Sequence, residues 1–122
     1  MRSTMLVLAG DPDVLIAVSG AARDAGFTVT PGRNHELAID SLTRVHADVA
    51  LVHVSHEGAD SIAFSGLAQY RGARVFLFSS RDGSAEERAR VSLISSRSIF
   101  PVLQYSGDPK ELIAAVASAL SA

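Results

Sequence analysis

The 122-residue chain is long enough to form one domain with its own core, and we expect a single domain over residues 1–122. Hydrophobic residues make up 48% and charged residues 20%, a composition that excludes a disordered chain. The 11 basic and 13 acidic side chains give a formal net charge of −2, and no segment concentrates Lys and Arg. Direct binding to nucleic acid is therefore not expected, because it requires several cations against the phosphates.

The composition also excludes several kinds of site. Because the chain has no cysteine, disulfides, thiolate metal sites, iron–sulfur clusters and cysteine nucleophiles are ruled out. The apolar start of the chain is too short for a signal peptide, since Asp11, Pro12 and Asp13 interrupt it. No segment approaches the roughly 18 apolar residues of a membrane span. We expect a soluble, cytoplasmic protein that does not contact membranes.

The first predicted strand covers residues 4–10, and a helix follows at residues 11–26. Asp11 before Pro12 is typical of a helix start, because the carboxylate caps N–H groups of the first turn and proline fits that turn. Apolar residues then recur at three- and four-residue spacing, which predicts one buried face of the helix. These residues are Leu15, Val18, Ala22 and Ala25.

The middle of the chain continues the alternation of strand and helix. Residues 27–32 read as a second strand, residues 34–47 as a second helix and residues 48–55 as a third strand. A loop with Gly58 leads to a predicted third helix at residues 60–70. The residues of the second helix expected to face the core are Ala38, Leu42 and Val45.

The last part of the chain predicts two more strands, each followed by a helix. Residues 73–80 form the fourth strand, and Ser84 with Glu87 forms a capping box for a helix that runs to residue 95. Residues 98–106 form the fifth strand, and Asp108 caps the last helix. The residues of that helix expected to face the core are Leu112, Ile113, Val116 and Leu120.

Five repeats of strand and helix predict an α/β fold with a parallel sheet. The first, third and fourth strands are almost continuously apolar, as in central strands covered by helices on both faces. The second and fifth strands contain Pro31 and Pro101, and proline belongs at a sheet edge because it has no N–H to donate. We therefore predict a flavodoxin-like (βα)5 three-layer sandwich of strand order 2-1-3-4-5, whose ligands bind at the carboxyl ends of the first and third strands.

Three segments carry a resemblance to a known family. They are LVLAGDPDVL at residues 6–15, ADVALVHVSHEGADS at residues 47–61 and QYSGDPKELIAAV at residues 104–116. Their pattern resembles that of the CheY-like response-regulator receiver domains of two-component signal transduction, over essentially the whole chain. The resemblance implies a receiver scaffold, and Ser79 keeps the hydroxyl with which receivers bind the phosphoryl group.

Three other chemical positions depart from the receiver pattern. Ala9 and Gly10 stand where receivers have an acidic pair, His53 replaces the phosphoacceptor aspartate, and Tyr105 replaces a lysine. Magnesium needs hard oxygen ligands, which alanine and glycine side chains lack. Tyr105 carries no positive charge to stabilise a transferred phosphoryl group. The resemblance therefore implies a pseudo-receiver with no catalytic residue, no metal and no cofactor.

Several residues near the predicted strand ends have alternative interpretations. Asp11 is interpreted as a helix cap rather than a metal ligand. His53 is either a partly buried imidazole bonded to backbone or to Ser79, or else a phosphohistidine, a pH-sensitive group or a ligand contact. A zinc site would combine His53 and His56 with Asp11 or Glu57, although zinc usually needs three or four converging ligands.

The loop after the fourth strand suggests a different kind of pocket. Ser79, Ser80 and Arg81 offer two hydroxyls and a guanidinium that would suit an anion, although they also fit a simple polar loop. Ser79 with His53 is the pair to check for nucleophilic chemistry. The nine glycines form no phosphate-binding motif, so nucleotide binding has no support.

We expect a phosphorylation-independent signalling module that acts through protein contacts. The resemblance points to the surface made by the fourth helix, the fifth strand and the last helix, residues 86–94 and 99–120, for a protein partner or a homodimer. Two alternatives stay open. One is a sensor that binds a small anion or metabolite through His53, Ser79, Ser80 and Arg81, in the pocket that corresponds to the phosphorylation site of receivers. The other is an atypically phosphorylated receiver with His53 as the acceptor.

Overall fold

The structure is a computed structural model that describes residues 3–54, 58–80, 85, 88, 89, 92 and 100–121. The strands are Thr4–Leu8 (β1), Thr28–Gly32 (β2), Val49–His53 (β3), Arg74–Ser80 (β4) and Val102–Tyr105 (β5). The helices with full bounds are Pro12–Asp24 (α1), His35–Arg44 (α2), Gly58–Tyr70 (α3) and Pro109–Ser121 (α4). Most of the helix predicted at residues 84–95 lies outside the described residues. Its four described positions, residues 85, 88, 89 and 92, are helical.

The five strands form one parallel sheet in the order β2-β1-β3-β4-β5. This confirms the predicted α/β flavodoxin-like topology. Pro31 lies in β2 and Pro101 immediately precedes β5, so both prolines lie at the two edges of the sheet, as their missing N–H groups require. The winding of the chain reverses between β1 and β3, and this places the carboxyl ends of those strands at the usual ligand position of such folds.

Alternating residues of the strands pack into two cores on opposite faces of the sheet. One core joins Met5, Val7 and Leu51 of the sheet to α1 and α4. The other joins Leu6 and Val52 to α2 and α3. Because successive strand side chains point to opposite faces, the apolar segments at residues 4–8 and 49–52 supply both cores. Helices therefore cover the sheet on both sides, in three layers.

The predicted helix caps are present at both ends of the chain. Asp11 Oδ1 accepts hydrogen bonds from the backbone N–H groups of Asp13, at 2.9 Å, and Val14, at 3.4 Å. Asp108 Oδ1 accepts one from the N–H of Lys110, at 3.0 Å. These caps satisfy donors that a helix leaves unpaired in its first turn. They fix where the chain turns from each strand into the next helix.

Two residues predicted to face the core are instead exposed. Ala25 was expected in the stripe of α1, but the helix ends at Asp24 and the chain turns through Gly26 at a φ of 100°. Val45 was expected in the stripe of α2, but it lies past Arg44 with extended backbone and its side chain is 43% exposed. Both predictions were wrong because they extended the helical period beyond the last turn.

No helix in the described part of the chain is long and apolar enough to cross a membrane.

Candidate functional site

The carboxyl ends of the strands bring four side chains together, and we call them the strand-tip cluster: His53, Phe78, Ser80 and Tyr105. The strand register explains the grouping. His53 of β3 is paired with Phe78 of β4, and Ser80 of β4 is paired with Tyr105 of β5. Phe78 belongs to the core under α1 and α4, and Tyr105 packs against that core. The cluster therefore lies on the α1 and α4 side of the sheet.

His53 is the last residue of β3 and packs as an aromatic ring. It is partly buried, and its imidazole stacks on the ring of Phe78 with the centroids 4.8 Å apart and the planes 23° apart. Its Nε2 lies 3.3 Å from Ser80 Oγ, a hydrogen bond whose direction depends on the imidazole tautomer. The stacking and this hydrogen bond hold the ring against the end of β4.

Tyr105 is the last residue of β5 and completes the row of rings. It meets Phe78 edge to face, with the centroids 6.0 Å apart and the planes at 84°. Its hydroxyl donates a hydrogen bond of 3.5 Å to the carbonyl of Gly107. Burial raises the pKa of the Tyr105 hydroxyl, and the nearby carboxylates of Asp108 and Asp11 raise it further. The residue is thus a neutral hydrogen-bonding group at neutral pH.

Ala9 and Gly10 follow β1 and bring no oxygen-bearing side chain to this end of the sheet. Ala9 is 1% exposed and packs in the core under α1, while Gly10 is exposed. Asp11 is the next acidic residue, and its Oδ1 atom is occupied by the two N–H groups at the start of α1. The prediction that Asp11 is a helix cap is therefore confirmed.

The predicted hydroxyl partner of His53 was wrong by one residue. Neighbouring backbone or Ser79 was expected to bond the imidazole, and the hydroxyl that lies within hydrogen-bond distance of it is that of Ser80. Alternation along β4 is the reason: Phe76 and Phe78 pack under α1 and α4, and Val75 and Leu77 pack under α2 and α3. Ser80 continues the first set, on which His53 also lies, whereas Ser79 continues the second set.

Sequence reasoning also missed the residue that organises the cluster. Phe78 is fully buried and contacts both the His53 ring and the Tyr105 ring. The position of Phe78 could have been predicted, because side chains alternate between the two faces of a strand and Phe78 therefore lies on the same face as Ser80. Other predicted site residues, namely His56, Glu57 and Arg81, lie outside the described residues.

The chemistry of these side chains can be compared with that of a magnesium site, which the receiver fold implies. Magnesium prefers carboxylate oxygens and water in octahedral geometry. At the positions where the receiver resemblance implies carboxylates, this chain has the methyl group of Ala9, the hydrogen of Gly10 and the imidazole of His53, which stacks on Phe78. The described residues contain no group of three or more His, Asp or Glu side chains arranged to hold a metal. These donors do not fit magnesium.

Comparisons with solved structures identify the fold. The chain is similar to a response regulator receiver protein from Sinorhizobium medicae, with 20% identity over 99% of this chain and 96% of that one and a TM-score of 0.79. A response regulator from Thermotoga maritima matches with 18% identity over the whole of both chains and a TM-score of 0.75. No family model and no curated protein matches the chain.

The fold is therefore that of CheY-like response-regulator receiver domains. The comparisons also show how little a fold says about activity, because a de novo designed Rossmann 2x3 protein matches with 21% identity over 99% of this chain and 90% of that one and a TM-score of 0.67. The function of the chain therefore depends on its strand-tip cluster and its surfaces.

Proposed function

We propose that the protein is a pseudo-receiver: a regulatory module of cytoplasmic signal transduction that has the receiver fold, does not accept a phosphoryl group, has no enzymatic activity and acts through contacts with other proteins. The observation that carries the proposal is the packing of His53. The end of β3 is the phosphoacceptor position that the receiver resemblance implies, and here it holds a ring stacked 4.8 Å from Phe78.

Transfer of a phosphoryl group needs a nucleophile, a metal and a cation that stabilises the developing charge. His53 stands at the acceptor position, Gly10 stands where a metal-binding carboxylate is implied, and Tyr105 stands at the lysine position. Tyr105 is neutral, and its raised pKa keeps it neutral to high pH. For receiver chemistry to operate, other residues would have to supply the acceptor, the metal ligand and the cation that these three positions lack.

A module without phosphoryl chemistry still offers surfaces to a partner. β5 is an edge strand of the described sheet, and α4 packs beside it through Leu112, Ile113 and Val116. The outer side of α4 carries small side chains at Ala114, Ala115 and Ser118. A partner could approach the helix closely along this flat side. We therefore propose the β5 and α4 side, within residues 100–120, as the surface for a protein partner.

Phosphorylation can be tested directly. The protein is incubated with acetyl phosphate and Mg²⁺, and its intact mass is measured at neutral pH, which preserves phosphohistidine. A receiver with an intact acidic pair, aspartate and lysine serves as the positive control. We expect no gain in mass equal to a phosphoryl group. A stable gain that the His53→Ala variant lacks would contradict the proposal and would favour phosphorylation of His53.

A further inference from the structure

Helix α3 presents an uncharged and mostly apolar face to solvent. Among the residues of α3 whose side chains are described, six are exposed: Ile62, Ala63, Gly66, Leu67, Gln69 and Tyr70. Among them Ile62 is 39% exposed, Leu67 36% and Tyr70 88%. The sequence has no charged residue between Ser61 and Tyr70. We call this surface the α3 face.

The polarity of α3 is unusual for a helix on the surface of a domain. Such helices normally turn apolar residues to the core and charged residues to water. Here the buried side includes two serines, Ser61 at 5% and Ser65 at 0% exposure, while Ile62, Leu67 and Tyr70 lie on the outer side. Packing against the described residues does not explain these outer residues. The largest exposed apolar patch of a soluble domain is often functional, and this makes the α3 face a candidate for a contact surface.

The centre of the α3 face is a shallow notch. Gly66 lies one turn from Ile62 and one turn from Tyr70, and Ala63 lies three residues before it. Apart from the neighbouring backbone of α3 itself, a Cβ atom added at Gly66 would have no atom of the described residues within 4 Å. The backbone of α3 is therefore accessible at this point, and larger side chains flank it. A second helix can cross there at close range.

We propose that the α3 face is the interface of a symmetric homodimer, in which α3 of one copy packs antiparallel on α3 of a second copy. The absence of charge along the face favours this occupant. A neutral apolar face is complementary to itself, and a two-fold axis brings the same patch together from both copies. An antiparallel crossing at Gly66 also places the helix dipoles in opposite directions, which is the favourable arrangement.

The area of the α3 face is just large enough for a specific interface. Ile62, Leu67 and Tyr70 together expose roughly 300 Å², given their exposed fractions and the usual area of such side chains. With the small residues and Gln69 between and beside them, about 500 Å² per copy is available, or about 1,000 Å² for both. This is the lower end of specific interfaces. The dimer should therefore be weak and depend on concentration in the micromolar range.

The test is sedimentation velocity of the full chain from about 10 μM to about 1 mM, a range that brackets a weak dimer. The expected mass rises with concentration from 12.8 kDa towards twice that value. Tyr70→Lys should weaken the association at least about tenfold, because an antiparallel crossing at Gly66 places residue 70 of each copy against the apolar Ile62 of the other, where the charge would be buried without a partner. Its control is Ile16→Lys, which replaces a residue that is 71% exposed on α1, on the opposite side of the sheet.

A second pair of variants separates the interface from folding. Gly66→Ala should raise the thermal midpoint of the monomer, since alanine favours a helix more than glycine, and should still weaken the dimer several-fold. Gly20→Ala in α1, where an added Cβ also has no atom within 4 Å, should raise the midpoint and leave the dimer unchanged. A wild-type chain that stays monomeric throughout, or a dimer unaffected by Tyr70→Lys and Gly66→Ala, would overturn the proposal. Neither result would bear on phosphorylation.

Discussion

Replacement of His53 by aspartate tests whether the end of β3 is built for packing or for a carboxylate. In the wild-type chain the imidazole stacks on Phe78 and bonds Ser80 at 3.3 Å. His53→Asp removes the ring and brings a negative charge to a partly buried position beside the face of an aromatic ring. That face is itself electronegative, so the two repel. We expect the variant to fold and to be less stable.

The magnitude follows from three losses. The aromatic pair contributes about 0.5 to 1.5 kcal/mol beyond its buried area. The hydrogen bond contributes about 1 kcal/mol. Partial desolvation of the carboxylate adds about 1 kcal/mol at neutral pH. The free energy of unfolding should therefore fall by about 2.5 to 3.5 kcal/mol, which lowers the thermal midpoint by roughly 10 to 15 °C in a domain of this size.

The pH dependence identifies the part of this loss that is due to charge. Desolvation raises the pKa of the new carboxyl in the folded state above its unfolded value of about 3.9. A group with a raised folded pKa contributes its stability fully below the unfolded pKa and loses it as the pH rises through the folded value. His53→Asn has the same shape without the charge. The Asp variant should therefore match the Asn variant near about pH 3 and be less stable than it near about pH 7.

The assay is urea unfolding followed by circular dichroism at both pH values for the wild type and both variants. The midpoint and slope of each curve give the free energy of unfolding. A His53→Asp variant at least as stable as the wild type at about pH 7 would refute the reasoning, because it would mean that the position accommodates a carboxylate in the way a phosphoacceptor site does.

Three further predictions test other parts of the structure. In a Tyr70→Phe variant, Tyr105 is the remaining tyrosine, and its absorbance titration should have a midpoint above 10.0 because burial and the Asp108 and Asp11 carboxylates raise its pKa. Stability that depends on its protonated form should be lost as the pH rises through that midpoint. Ser19→Ala should raise the free energy of unfolding by about 1 kcal/mol, since Ser19 is 2% exposed and its hydroxyl has no hydrogen-bond partner among the described residues. Gly32→Ala should lower it by about 1 to 3 kcal/mol, measured by urea unfolding, because the added Cβ would lie 3.2 Å from Ala38 Cβ and 3.3 Å from Ala38 Cα.

The two stability predictions have matched control variants, and the titration has a result that would contradict it. A Tyr105 midpoint at or below 10.0 would contradict the burial of its hydroxyl. Ser65→Ala is the counterpart of Ser19→Ala, because the buried Ser65 hydroxyl donates a 2.7 Å bond to the Ser61 carbonyl and its removal should not stabilise the chain. Gly20→Ala is the counterpart of Gly32→Ala and should stabilise, since nothing lies within 4 Å of its added Cβ. Equal effects within either pair would contradict the packing described.

The fold could be predicted from the sequence because its signals are local and repeated. Strand residues 5–8 and 49–52 form apolar segments, and Asp11 and Asp108 each cap the helix that follows a strand. The prolines at positions 31 and 101 then selected the edges of the sheet. Each signal depends on neighbouring residues along the chain, so no knowledge of distant contacts was needed. The ends of helices were less predictable, as Ala25 and Val45 show, because apolar residues beyond the last turn continue the spacing without continuing the helix.

The strand-tip cluster could be predicted only in part. His53 and Tyr105 were predicted at the strand ends because strand ends are visible in the sequence. The contact of His53 with Ser80 rather than Ser79 depends on the register between β3 and β4, which pairs His53 with Phe78. Register is a property of two strands at once, and a shift of one residue moves every side chain to the other face. The role of Phe78 as the ring between His53 and Tyr105 was hidden for the same reason.

The central claim is that the ends of β1 and β3 form no magnesium site. The measurement is a titration of the ¹⁵N-labelled protein with Mn²⁺, followed by NMR. Mn²⁺ binds the same oxygen ligands as Mg²⁺, and because it is paramagnetic it broadens the amide signals of residues close to it. We predict that the signals of Gly10 and His53 broaden no more than those of exposed residues elsewhere in the chain, and that a double variant, Gly10→Asp with His53→Asp, acquires selective broadening there. Saturable broadening of Gly10, Asp11 and His53 in the wild-type chain at low Mn²⁺ would contradict the claim.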